Sequence, residues 1–258
     1  MTVEFHIRKH LAKEVELKDI TDDLCVFGLF GPKSRDLMKA ISKDNFDNDN
    51  FKFGTAKYIT IEGVKIWAQR LSYVGELGYE LYVKFKDAKK IYELIVEVGK
   101  KFNLSNCGMH TMDVLRMESG FLHWGHDISP EENQYQAGLA FTISNKKDVD
   151  FIGKQALEKI KQDKVKTRFS MFTLKESEPG KPLLLHDEPI YDGEKIIGRS
   201  TSGNYSFNFK KNLVFGYINN DLSNDELKSK NLFIEVEKQK YPILIQLEPL
   251  KRTNFKNL

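Results

Sequence analysis

The chain has 258 residues, a length that suits one large domain or two smaller ones with a sizeable core. Its 40 Lys and Arg stand against 37 Asp and Glu, a formal net charge of +3, and the lysines are spread along the chain rather than gathered into a stripe. That balance creates no polyanion-seeking field and excludes nucleic acid as a first-choice partner.

The opening residues, Met1-Thr2-Val3-Glu4-Phe5-His6, lack the apolar stretch of a secretory leader, and no later run is long and apolar enough to span a bilayer. A protein of a reducing compartment, the cytoplasm, with no membrane partner is expected. Leu24–Phe30 reads as a buried strand that holds Cys25 as a small core residue. Neither Cys25 nor Cys107 belongs to a Cys-x-x-Cys pair, so a disulfide framework or a cysteine zinc site is not expected. Gly31-Pro32 turns the chain into a helix with the apolar stripe Leu37, Met38 and Ile41. Ala56–Ile61 alternates as a strand, Glu62-Gly63 turns it, and Val64–Leu71 returns with period two. A loop over Tyr73–Gly78 precedes a further strand, Tyr79–Phe85. Asp87 is placed to cap the next helix, whose face carries Ile91, Leu94, Ile95 and Val98. Another helix runs from near Gly108 to Gly120 and carries Met109, Met112, Leu115 and Arg116. This order predicts an α+β fold, a ferredoxin-like two-layer sandwich with helices on one face of an antiparallel sheet.

The polar segment Lys161–Lys166 reads as a linker or helix end. Beyond it lie short strand candidates: Arg168–Leu174, Glu188–Tyr191, Lys195–Arg199, Leu213–Ile218, Leu232–Val236 and Ile243–Leu247. Asp192-Gly193 is a hairpin signal, and strands at this spacing suggest a small C-terminal β-barrel. The domains expected are therefore residues 1–165, the α+β domain, and 166–258, the barrel.

The segment Ser72-Tyr73-Val74-Gly75-Glu76-Leu77-Gly78-Tyr79-Glu80 sets one carboxylate, Glu76, in a loop bracketed by Gly75 and Gly78. Glycine there lets the backbone bend sharply and approach a ligand. A carboxylate so held can accept paired N–H bonds from a flat heterocycle such as a pterin or purine; the plainer reading is an exposed acid on a turn. On the later helix Asp113 and Arg116 stand at i and i+3 and can pair. Arg116 either holds the helix end through that pair or offers its fork of donors to a ligand carboxylate or carbonyl. His123, His126 and Asp127 match no standard zinc spacing, so no metal is expected and His126-Asp127 reads as a turn fixed by side-chain to backbone bonds. Trp124 fills the core or stacks on a flat ligand. Gly198-Arg199-Ser200-Thr201-Ser202-Gly203 is rich in donors but lacks the lysine of a P-loop and reads as a loop between barrel strands.

Taken together, the chain resembles the aminomethyltransferase (glycine-cleavage T-protein) family, and is most similar to the folate-binding C-terminal region of dimethylglycine and sarcosine dehydrogenases. The likeness rests on Leu29-Phe30-Gly31-Pro32-Lys33-Ser34-Arg35, on the Ser72–Glu80 loop, and on Asp113-Val114-Leu115-Arg116-Met117-Glu118-Ser119-Gly120. It also rests on Trp124-Gly125-His126-Asp127-Ile128 with Phe151-Ile152-Gly153-Lys154, and on Thr201-Ser202-Gly203-Asn204-Tyr205 with Gly216-Tyr217. These occur in family order over nearly the whole chain. The resemblance implies tetrahydrofolate as cofactor, with Glu76 on the pterin edge, Tyr73 and Gly75 lining the same pocket, Arg116 near the glutamyl side and Trp124 beside the ligand. It implies transfer of a one-carbon unit from an aminomethyl or iminium donor to tetrahydrofolate. The family's catalytic aspartate belongs to an N-terminal lobe that the chain is expected to lack, so no catalytic residue is assigned. A flavoprotein partner, that further lobe or a homo-oligomer is expected to complete the system. The alternative is a non-catalytic folate-binding subunit or fragment that needs a partner lobe.

Overall fold

The computed structural model describes residues 15–143, 150–163 and 165–251. They form two compact units, residues 15–72 with 76–106, and residues 73–75 with 107–251.

The first unit is a four-stranded antiparallel sheet of β1 (Leu24–Phe30), β2 (Ala56–Ile61), β3 (Val64–Gln69) and β4 (Gly78–Lys84), in the order β1-β4-β3-β2. Helices α1 (Ser34–Ile41) and α2 (Phe85–Gly99) pack together against it. Period-two alternation sends Ile59, Ile61, Ile66, Ala68, Leu81 and Val83 to one face. There they meet Leu37, Met38 and Ile41 of α1 and Ile91 and Ile95 of α2, the stripes visible in the sequence. The opposite face carries a lateral row in register, Val26↔Tyr82, Tyr82↔Trp67 and Trp67↔Tyr58. Val26, Tyr58 and Trp67 are exposed on it.

Two local expectations need correction. β1 buries only Leu29 fully, so Cys25 is half-buried rather than a core residue. Helix α2 starts two residues before Asp87, with Lys84 at the N-cap position and no side-chain cap. Asp87 instead lies in the first turn, where a carboxylate still meets the positive end of the helix dipole.

The second unit holds α3 (Met109–Glu118), α4 (Lys154–Asp163) and a closed six-stranded barrel. Its strands are β5 (Thr167–Leu174), β6 (Pro189–Asp192), β7 (Lys195–Ser206), β8 (Lys211–Asn219), β9 (Leu232–Val236) and β10 (Gln239–Gln246). They close in the order β10-β5-β8-β7-β6-β9, with α5 (Asn224–Ser229) between β8 and β9. Phe172, Leu174, Ile190, Ile197, Val214, Ile218, Ile234 and Ile243 fill the interior. The Asp192-Gly193 hairpin joins β6 to β7, with Gly193 at φ 60°. The sequence-read α+β sandwich and small barrel are thus both present. Gly198–Gly203, expected as a loop, lies within β7, where the register shifts between Ser200 and Ser202. That bulge re-aims the hydroxyls of Thr201 and Ser202. Among the described residues no helix is long and apolar enough to cross a membrane.

Candidate functional site

The site is built around the C-terminal end of α3, where Arg116, Met117 and Glu118 are buried. Arg116 is 1% exposed, a position a guanidinium tolerates only when its donors are met. Its Nε donates to Asp113 Oδ1 at 2.8 Å, and Nη2 lies 2.7 Å from the same oxygen. Nη1 donates to the Phe121 carbonyl at 3.1 Å and to Asp127 Oδ2, while Nη2 donates to Ser202 Oγ at 2.8 Å. The plane also lies 5.3 Å from the centre of the Phe215 ring. Every N–H of the guanidinium therefore has a protein acceptor. Of the two readings of Arg116, the pair with Asp113 is made, and the structure adds Asp127 and Ser202.

Asp127 is 1% exposed and bonded on both oxygens. Oδ2 takes Arg116 and the His123 N–H, the latter at 2.9 Å; this is the turn-fixing bond read from the sequence. Oδ1 accepts Thr201 Oγ1 at 2.5 Å and Ser202 Oγ at 2.8 Å, both from the bulge of β7. Glu118, on the same helix end, accepts Ser206 Oγ at 2.6 Å and Asn208 Nδ2 at 2.9 Å. Two carboxylates of the helix-end region are thus pinned to one barrel strand. Sequence reasoning missed Glu118, Thr201 and Ser202 as partners. Their one sequence signal was the cluster of hydroxyls in Ser200-Thr201-Ser202, which does not say where they point.

Beside this network is a cavity of about 320 Å³, within the usual range of small-molecule sites. Its walls include Tyr73, Asp113, Arg116, Leu183 to Leu185, Thr201 to Asn204 and four histidines. Tyr73 donates its hydroxyl to the Leu122 carbonyl at 3.2 Å and lies nearly parallel to Phe121, 14° between planes at 6.4 Å. Burial pushes the Tyr73 phenol up, opposed by the Arg116 charge. An apolar ring face, leucine side chains, hydroxyls and the Asn204 amide together suit a flat heterocycle that carries hydrogen-bonding edges.

Gly75 is buried at φ 67°, and a Cβ built there would run into Ser119 Oγ. Glu76, the next residue, is half-buried, and its N–H donates to Ser72 Oγ at 3.0 Å. Val74 and Leu77 are buried on either side, so the loop is packed rather than splayed into solvent. Trp124 is 60% exposed, which overturns a core role, and it stands outside the cavity walls. Among the described residues, Trp124 makes a bridge pairing with Ile128. Among the described residues no three His, Cys, Asp or Glu side chains are placed to hold a metal ion.

The family model described as "GCVT N-terminal domain" matches residues 2–147, and "Glycine cleavage T-protein C-terminal barrel domain" matches residues 168–251. The chain is 35% identical over 240 residues to the mitochondrial dimethylglycine dehydrogenase of Homo sapiens, covering 93% of this chain and 27% of that protein. It is 31% identical over 226 residues to the human mitochondrial sarcosine dehydrogenase, covering 86% of this chain and 24% of that protein. An aminomethyltransferase of Symbiobacterium thermophilum is 31% identical over 205 residues, covering 79% of this chain and 54% of that enzyme. The chain thus spans about a quarter of the length of these dehydrogenases and about half that of the aminomethyltransferase. The crystal structure of the glycine cleavage system aminomethyltransferase T from Bartonella henselae superposes with a TM-score of 0.78 at 18% identity, covering 97% of this chain and 66% of that one. At that identity the likeness speaks to the fold.

Proposed function

We propose a folate-dependent one-carbon role for this chain, which belongs to the glycine-cleavage T-protein (aminomethyltransferase) family. In this reading tetrahydrofolate is the cofactor and an aminomethyl or iminium compound, as in glycine cleavage or the demethylation of dimethylglycine or sarcosine, is the donor. Tetrahydrofolate, when bound, supplies the nitrogen that accepts the one-carbon unit. The chain's own work is to hold and orient the reactants and keep water out. Tyr73 gives the ring an apolar wall, Gly75 lets the backbone come close, and Glu76 accepts two N–H bonds from the pterin edge. Arg116, with its donors already engaged, acts as a positioning residue that fixes the cavity floor. Trp124 offers an exposed ring for stacking.

The observation that carries the reading is Tyr73. It walls a cavity of about 320 Å³ from a loop whose next residues are the buried, positive-φ Gly75 and the half-buried Glu76. Titration calorimetry with tetrahydrofolate tests it. Glu76→Gln is expected to weaken binding by about 1–3 kcal/mol, the scale of a charged hydrogen-bond partner lost. Equal affinity for wild type and variant removes Glu76 from the site.

A second reading, a folate-binding subunit without its own catalysis, is favoured by Asp113. This cavity-wall carboxylate is held by Arg116 rather than left to accept a proton. Mixed with a flavoprotein partner and a methylated amine, the protein yields methylene-tetrahydrofolate under the first reading and only binds under the second. The proposal places the protein in the cytoplasm with a partner lobe, a flavoprotein or a second copy. The exposed Val26, Trp67 and Tyr58, in one row with the half-buried Tyr82, support such a contact, and light scattering measures it.

A further inference from the structure

His110, His123, His126 and His186 all line the cavity, and the holding of a pterin by Tyr73 and Glu76 uses none of them. Three form a row. The His123 and His126 ring centres lie 4.6 Å apart, and those of His126 and His186 lie 6.5 Å apart. His126 and His186 are exposed and His123 is half-buried, so the row runs outward from the cavity wall. His186 Nδ1 sits 2.9 Å from Asp187 Oδ2, and Asp187 is itself paired with Arg199. That contact fixes the His186 ring and leaves Nε2 on the side away from Asp187.

The charged groups around the row are few and mostly matched. Arg116 is balanced by Asp113 and Asp127, and Asp127 also takes the His123 N–H. Asp187 is matched by Arg199, and Glu188 accepts the Leu185 N–H at 2.7 Å. The guanidinium in the cavity is therefore committed to protein carboxylates. Imidazoles are what the cavity has left to meet an anion, since a protonated ring donates from both nitrogens.

We propose that the His123–His126–His186 row binds a carboxylate of the ligand through imidazolium N–H groups, so that binding strengthens as pH falls. This rests on the folate reading for what the ligand is. Two sources share the chemistry: the γ-glutamyl tail of a reduced folate, and the carboxylate of an N-methylated glycine donor. Histidine gains its charge as pH falls through about 8 to 5. Charge-assisted N–H···O⁻ bonds then form that a neutral acceptor nitrogen cannot make.

The experiment follows the imidazole Cε1–H signals of the whole chain by NMR while tri-γ-glutamate or sarcosine is added, at about pH 6 and about pH 8. In wild type at least one probe shifts His123, His126 and His186 together, with affinity about tenfold higher at the lower pH, the scale of one charge-assisted hydrogen bond. The probe that acts identifies the source. The double variant His126→Gln, His186→Gln loses the pH dependence. Both residues are exposed, so the fold is kept, and a thermal melt confirms it. The inference is overturned if neither probe moves the three rings, or if the double variant binds with the wild-type affinity and pH dependence. Tailless tetrahydropterin separates the folate reading. If tetrahydropterin gives no calorimetric heat while tri-γ-glutamate still moves the rings, the pterin assignment falls and the carboxylate row stands. If tetrahydropterin binds and neither probe acts, the row falls alone.

Discussion

Asp127 collects buried bonds from Arg116, Thr201 and Ser202 and a part-buried one from the His123 amide. A buried ion pair is not in itself a large source of stability, because both charges are desolvated; breaking one side is what is costly. Asp127→Asn keeps the shape but leaves Arg116, among the described residues, with Asp113 as its one carboxylate partner. It is expected to destabilise the protein by about 3–5 kcal/mol in chemical denaturation. Ser202→Ala removes one hydroxyl that both donates to Asp127 and accepts from Arg116, for a smaller loss of about 1–2 kcal/mol. If the two variants unfold at the same denaturant concentration, Asp127 is not the hub described. The same substitutions bear on ligand binding only through the cavity floor. Asp127→Asn should therefore weaken tetrahydrofolate in proportion to any movement of Arg116, whereas Glu76→Gln should weaken it more than any change in stability accounts for.

At the scale of elements, the loop Tyr73–Gly75 and strand β7 set the cavity's shape through two glycines. Gly75 takes φ 67° and has Ser119 against it; Gly203 has no room because Leu184 lies where a Cβ would go. Gly75→Ala combines backbone strain with that clash, and a loss of about 2–4 kcal/mol in a thermal or urea melt is expected. Gly203→Ala carries no positive-φ strain, but its clash falls on the Cβ and backbone of the buried Leu184, which cannot swing aside, so it too is expected to destabilise in the same melt. Much of this frame was legible beforehand. Ala56–Ile61 and Leu232–Val236 have the bounds their alternation marks; the α1 stripe is buried, and the α2 stripe buries Ile91 and Ile95 while Leu94 and Val98 pack half-buried at its edge. The bulge of β7 was not legible, because Gly198–Gly203 carries turn-forming residues whose pairing with β8 is decided by partners far along the chain. The Asp127 network was hidden for the same reason, with Thr201 and Ser202 lying 74 and 75 positions away. Helix α5 was missed although its signal was present. Ser223 and Glu226 form a capping box, the Ser-x-x-Glu spacing that marks a helix start.

For the molecule as a whole, partly buried phenols set how it meets alkaline pH. Burial raises Tyr82 in the first unit and Tyr73 and Tyr217 in the second. A phenol whose folded pKa lies above its unfolded value keeps its proton longer in the native state. Its contribution is complete below the unfolded pKa and is lost as pH rises through the folded one. Stability is therefore expected to hold to about pH 9.5 and to fall above about pH 10, where unfolded tyrosine ionises. Tyr217 gives the sharpest test. Its hydroxyl is buried and, among the described residues, has no hydrogen-bond partner, while Glu132 and Asp127 add to the effect of burial. Tyr217→Phe removes an orphaned polar group, so stability at neutral pH should be unchanged or higher by up to about 1 kcal/mol. The variant also removes one proton from the alkaline balance, so its stability should fall less steeply between about pH 10 and about pH 12. Urea melts of both proteins across that range decide it. Parallel curves would mean that the Tyr217 phenol ionises as readily in the folded chain as in the unfolded one, and that its burial does not govern the alkaline edge.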